Sequence, residues 1–187
     1  MIEKYLINTE ETLVVIIDVQ EKLVRAMDEE VVKEIIKNIL ILIETAKLFN
    51  IPIILTEQYP KGLGQTVEEI KKTLPSYEPI EKFTFNSFLE PNFEKKLNEY
   101  KDRKKVILTG METHVCLWQT AIDLIKKDYI VFVPKDAVCS RRKLDWETGL
   151  DLIKSAGGIL TTTETLVFQI LKKAGTPEFK KILELVK

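Results

Sequence analysis

Histidine is almost missing from this chain: its 187 residues hold one, His114. That count excludes any mechanism needing two histidines, the two-histidine zinc hydrolases among them. A Ser–His–Asp triad would have to use His114 itself. Cysteine is nearly as scarce. Cys116 and Cys139 are the two present and stand far apart, so zinc-ribbon, iron–sulfur and dithiol-redox spacings are absent. Two unpaired thiols suit a reducing cytoplasm. Excess charge of one sign is missing too. With 28 Lys+Arg against 29 Asp+Glu the net charge is −1, unlike the basic domains of dedicated nucleic-acid binders. No apolar run reaches membrane length: the most apolar helical stretch, residues 39–43, runs straight into Glu44 and Lys47. Residues 1–5 lack the basic-then-apolar order of a signal peptide. The expectation is a cytoplasmic protein with neither nucleic acid nor membrane as partner.

What is present is an ordinary globular composition, 45% hydrophobic and 30% charged. At about 150 residues per domain the length predicts a single domain over 1–187. A chain of this size buries roughly 70% of its unfolded surface and needs no disulfide or metal staple. Continuous β-branched runs alternate with helically spaced apolar residues. Strands are predicted at 12–18, 52–56, 79–83, 105–109, 129–134 and 159–162. Helices are predicted near 31–49, 67–72, 91–100, 113–127, 144–156 and 164–173, with a last one started by Thr176 and Pro177. Six strands interleaved with helices make an α/β domain whose mostly parallel sheet carries helices on both faces.

Such sheets bind ligands beyond the carboxyl ends of their strands, where strand order reverses. Asp18, Lys82 and Cys116 all fall at predicted strand ends. Each has an ordinary alternative reading: Asp18 as a turn cap, Cys116 as a core filler, Lys82 as one of 24 mostly solvated lysines. Asp18 is not the aspartate of a haloacid-dehalogenase-type phosphatase, since the residue two further on is Gln20. Nor is Gly62-Leu63-Gly64 a dinucleotide fingerprint, for it lacks the third glycine. Cys116 lies in the first turn of a predicted helix, which favours its thiolate by under about one pKa unit. A thiol starting near about 8.5 then stays mostly protonated at pH 7. Something must take its proton, and His114, two residues earlier, points to a different helix face. Asp18 could serve, but its charge raises the thiol pKa unless a cation such as Lys82 offsets it. Cys139, followed by Ser140-Arg141-Arg142 in what reads as a polar loop, is expected to be structural.

Together, Asp18, Lys82 and Gly110-x-x-Thr113-x-x-Cys116 resemble the isochorismatase-like cysteine hydrolases, over about residues 10–175. The segments Asp18-Val19-Gln20, Thr56-Glu57-Gln58-Tyr59-Pro60 and Asp136-Ala137 with Ser140-Arg141 are most similar to the isochorismatase domain-containing proteins of unassigned substrate. The resemblance implies a three-layer α/β/α Rossmann-like domain on a six-stranded sheet, usually oligomeric. It also implies an Asp18–Lys82–Cys116 triad in which Cys116 attacks the carbonyl of a small molecule. A cis peptide between Met111 and Glu112 would turn the Glu112 N–H, with that of Cys116, toward the developing oxyanion. The implied substrate pocket lies among Gln20, Gln58, Tyr59, Phe85 and Trp118. Related nicotinamidases hold a metal through histidines after the second strand, where residues 56–60 here have none. No metal and no other cofactor is therefore expected, and the reaction expected is hydrolysis of an amide, ureide or carbamoyl C–N bond. A family member that binds without turnover, or a redox-sensing thiol protein, are the other readings.

Overall fold

A computed structural model of the chain describes residues 2–187; Met1 lies outside them. Its centre is one sheet of seven strands: β1 (Thr12–Ile17), β2 (Ile53–Gln58), β3 (Ile80–Lys82), β4 (Lys105–Met111), β5 (Ile130–Pro134), β6 (Val138–Cys139) and β7 (Ile159–Thr161). Every pairing is parallel, in the order β3-β2-β1-β4-β5-β7, with β6 paired to β4 off this path. Six of the strands are those expected. The seventh, β6, corrects the expectation of six: Val138 and Cys139 fall in the stretch read as a loop. Two residues carry no periodicity, and the polar residues that follow mask them.

Every residue of β1 and β4 is buried. This is why both read as unbroken apolar runs rather than alternating ones. Their side chains nevertheless divide by period two. Val14 and Ile16 join the core under helix Glu29–Leu48, while Leu13, Val15 and Ile17 join the core under helices Trp118–Lys126 and Lys143–Ser155. Helix Glu29–Leu48 and the last helix, Pro177–Val186, are anchored by their N-caps. Asp28 accepts from the Glu30 and Val31 N–H groups at 3.0 and 3.1 Å. Thr176 accepts from Phe179 N–H at 3.1 Å, with Pro177 opening the last helix. Each such cap is worth about 1 kcal/mol.

Strand order reverses between β1 and β4, because β1 continues through β2 on one side and β4 through β5 on the other. At the carboxyl ends of β1 and β4, Ile17 pairs with Gly110. Gly110 has φ +113°, and a Cβ on it would sit 2.0 Å from the Ile17 carbonyl oxygen. No other residue type fits this point. The glycine of the Gly-x-x-Thr-x-x-Cys motif is thus a packing requirement that closes the sheet directly beneath Asp18.

Candidate active site

Asp18 follows β1 in the left-handed region, φ 51°, a conformation that Asp and Asn tolerate better than other side-chain-bearing residues. The turn drives its side chain into the protein, where it is fully buried. Thr56, on β2 and paired with Ile17, donates its hydroxyl to Asp18 Oδ1 at 2.6 Å. Lys82, the last residue of β3, is also fully buried, and its Nζ lies 2.6 Å from Asp18 Oδ2. That contact is a charge pair rather than an aligned hydrogen bond. Oδ2 therefore has no hydrogen-bond partner, a condition it shares, among the described buried side-chain atoms, only with Thr113 Oγ1.

The Lys82 ammonium is held from its other sides by Gln58 Oε1 at 2.7 Å and by the Thr84 and Phe85 carbonyls at 3.3 and 3.4 Å. Glu90 fixes the strap that bears those carbonyls: its Oε1 accepts from Phe83 N–H, Thr84 N–H and the Thr84 hydroxyl at 2.9, 3.0 and 2.9 Å. The hydrogen bonds donated by Thr84, above all that of its N–H, hold the Glu90 carboxyl below its ordinary range.

Cys116 enters on a π-helical turn, Thr113–Leu117, which runs into helix Trp118–Lys126. The predicted helix over 113–127 is present, but its first turn is wider than α, a local form common at functional sites. This turn is pressed against helix Lys143–Ser155, where a Cβ on Gly149 would lie 2.8 Å from the His114 nitrogen and the Thr113 carbonyl carbon. The peptide between Met111 and Glu112 is cis. Cys116 is nearly buried. Burial, and then the Asp18 charge, push its thiol up to about 12 against the opposing pull of Lys82. In the resting protein Cys116 is a thiol beside a carboxylate, not a free thiolate. Alkylation by iodoacetamide is therefore expected to be slow at pH 7 and to rise without a plateau up to pH 9 or beyond. A plateau near neutral pH, read by mass spectrometry of the Cys116 peptide, would contradict this.

The structure places Lys82 against Asp18 and sets Cys116 within the influence of both charges. It treats the expected pocket residues differently. Gln20 is buried, donates both side-chain N–H groups to the Gln58 and Gly64 carbonyls at 2.9 and 2.7 Å, and accepts from Gln58 N–H at 2.8 Å. It fastens the 58–64 loop and has no donor left for a ligand. Gln58 accepts from Lys82 Nζ at 2.7 Å and donates one amide N–H to the Phe83 carbonyl at 2.8 Å. Tyr59 and Phe85 are exposed, and Trp118 is half-buried against the core that holds Cys116. Phe83, read from the sequence only as the end of the third strand, is 68% exposed and packs its ring 5.6 Å from that of Tyr59. Glu112, whose N–H was expected at the oxyanion, turns its side chain the other way, to Arg141 N–H and Nε at 2.9 and 3.1 Å. His114 bonds Ser140 through Nδ1 at 2.9 Å and serves the loop, not the thiol. Cys139 is buried on β6 with its thiol pushed up to about 12 by burial, in keeping with a structural role. Among the described residues no three of His, Cys, Asp and Glu converge as metal ligands. No helix among them is long and apolar enough to cross a membrane.

Comparison with known proteins follows the same lines. Residues 12–165 match the isochorismatase domain. The chain is 41% identical over 150 residues to a secreted isochorismatase effector, Isc1, of Phytophthora sojae, covering 78% of this chain and 71% of that one. It is 37% identical to isochorismatase domain-containing protein 2 of Xenopus laevis, covering 78% and 69%. Among solved structures, one described as the MAR1 ribonuclease of Caenorhabditis elegans superposes with a TM-score of 0.87 at 37% identity, covering 97% of this chain and 92% of that one.

Proposed function

The chain belongs to the isochorismatase domain family, and from that premise we propose that it is a metal-independent cysteine hydrolase. Its substrate in this reading is a small molecule with an amide, ureide or carbamoyl C–N bond. Family membership supports hydrolase activity at the coarse level. What supports the finer reading is one observation: a buried carboxylate–ammonium pair, 2.6 Å apart, whose charges act in opposite senses on a single nearly buried thiol.

The chemistry follows from those charges. Because the Cys116 thiol is protonated at rest, its proton leaves as the sulfur attacks, passing to Asp18 Oδ2, the oxygen with no hydrogen bond of its own. The S–C bond forms while the carbonyl π electrons move onto oxygen. The Glu112 and Cys116 N–H groups are the donors assigned to that oxyanion. As the tetrahedral intermediate collapses, the C–N bond breaks and the Asp18 proton goes to the departing nitrogen, leaving a thioester on Cys116. Water then attacks the thioester, giving its proton back through Asp18. The thiolate leaves and takes that proton up again. Lys82 tempers the repulsion of Asp18 for the developing thiolate. Gln58, the Thr84 and Phe85 carbonyls, and Glu90 behind them fix where the ammonium stands.

Tyr59, Phe85 and Trp118 remain the assigned walls of the substrate pocket, joined by Phe83 through its ring contact with Tyr59. Gln20 and Gln58 are reassigned from ligand contact to support. A reducing cytoplasm, which keeps Cys116 a thiol, is the compartment this chemistry needs. The ribonuclease activity attributed to the nematode relative is not carried over, because a phosphodiester offers no carbonyl to a thiol. The test is ammonia or amine release from a panel of small carboxamides, ureides and carbamoyl compounds, with an RNA strand included. Turnover of at least one C–N substrate, unaffected by chelators, is expected. Cleavage of the RNA alone, or silence across the panel by folded protein, overturns the reading.

A further inference from the structure

On the reading of Asp18, Lys82 and Cys116 as the reacting groups, we propose that Thr120 is a positioning residue for them: through Ser87 it clamps the strap that holds the Lys82 ammonium to the helix that follows Cys116. The three groups come from separate elements. Asp18 and Lys82 are paired directly, at 2.6 Å, whereas Cys116 stands on the turn leading into helix Trp118–Lys126. The strap after β3 bridges the two. Its Thr84 and Phe85 carbonyls accept from Lys82 Nζ, and the next two residues, Asn86 and Ser87, are bonded to the helix. Ser87 N–H donates to Thr120 Oγ1 at 3.1 Å, and Thr120 Oγ1 donates in turn to Ser87 Oγ at 3.1 Å. Asn86 Nδ2 donates to Asp123 Oδ2 at 2.6 Å.

Thr120 and Ser87 are both fully buried, and the partner that Thr120 takes is informative. A threonine within a helix ordinarily bonds back to the carbonyl four residues earlier, as Thr45 does to Ile41 and Thr73 to Glu69, each at 2.8 Å. For Thr120 that carbonyl belongs to Cys116, yet its hydroxyl turns to the strap instead. Without it the Ser87 N–H would be buried with no acceptor, and the strap would have to shift. Asp123, half-buried and three residues further along the same helix, forms the outer latch. The hydrogen bond from Asn86 is the main cause that holds its carboxyl below the ordinary range. Two latches thus fix residues 86 and 87 on the helix, while Glu90 fixes residues 83 and 84 within the strap. The ammonium is thereby given one place relative to the thiol, and Lys82 is the charge that pulls this thiol down against burial and Asp18. A misplacement of about 1 Å in such an arrangement can cost about 100-fold in rate.

Alkylation of Cys116 by iodoacetamide at pH 9 tests this without any substrate. Thr120→Val, close to threonine in shape, is expected to slow it about threefold or more, the fall in thiolate that a weaker pull from Lys82 produces. Thr120→Ser, which keeps the hydroxyl, should restore the wild-type rate. In an Asp18→Asn/Lys82→Met chain, which has no buried charge to position, adding Thr120→Val should leave the rate within about twofold. Loss of packing alone would change the rate in both backgrounds. Ile39→Val, a truncation in the core on the other face of the sheet, is expected to lower the urea midpoint and leave the rate alone. On a substrate that is turned over, Thr120→Val should lower kcat about 10–100-fold at little changed KM. If Thr120→Val does not fold, Asp123→Ala, which opens only the outer latch, carries the same comparison between the two backgrounds. An unchanged or faster rate in the charged chain, an equal slowing in the uncharged one, or a Thr120→Ser chain as slow as Thr120→Val each overturns the proposal. Silence on the C–N panel counts against the hydrolase reading and not against the clamp, which the alkylation rates decide.

Discussion

Replacing Cys116 with alanine is expected to lower kcat/KM by about 10^4-fold or more on any substrate the protein turns over. The fold should survive, since the change removes one sulfur from a site 6% exposed, a loss of about 1 kcal/mol in packing. The magnitude follows from what remains. Without the sulfur, Asp18 and Lys82 can at most orient water against the carbonyl, and no thioester forms. Initial rates with the most active member of the carboxamide panel measure it. A variant within tenfold of wild type would remove Cys116 from the reaction.

Lys82→Met is expected to destabilise the protein by about 3–5 kcal/mol, read as a lower urea midpoint at unchanged slope. The substitution leaves Asp18 fully buried with the Thr56 hydroxyl as its one hydrogen-bond donor. Asp18→Asn should cost less. The orphaned ammonium then keeps Gln58 Oε1 and the Thr84 and Phe85 carbonyls as acceptors, and asparagine accepts the left-handed backbone at this position. The double variant Asp18→Asn/Lys82→Met, with no buried charge left, is expected to regain most of the stability and none of the activity. That contrast separates the pair's structural cost from its catalytic use. A Lys82→Met protein as stable as wild type would show that the ammonium is not the counter-charge on which Asp18 depends.

The asymmetry within this pair also shows what the sequence could report. Strands β1 and β4 are legible because burial on both faces makes their apolar runs continuous. Asp18 and Cys116 stand out because those runs end beside them, at the point where strand order reverses. Lys82 is legible only through its place at a strand end, since nothing in composition distinguishes it from 23 other lysines. Its complete burial is a property of the assembled sheet. Sequence alone gives no reason for Asp18→Asn to disturb the fold; the buried ion pair does. The glutamines mark the limit most clearly. Gln20 and Gln58 stand where ligand contacts were expected, yet their amides bond groups far along the chain: Gln58 and Gly64 for one, Lys82 and Phe83 for the other. Hydrophobic periodicity carries no record of such long-range bonds. Glu90 was missed for the same reason. The tight approaches at Gly110 and Gly149 also emerge only when two elements are set against each other.

In the proposed mechanism the Cys116 thiol gains its nucleophilicity as Asp18 takes its proton, so the covalent intermediate is the direct signature of that mechanism. Intact-protein and peptide mass spectrometry after rapid acid quench, during turnover of an active carboxamide, measures it. One acyl group per chain is expected on the Cys116 peptide of the wild-type protein, and none on Cys116→Ala. Steady turnover with Cys116 unmodified at every quench time, or an adduct on Cys139 in its place, would contradict the account.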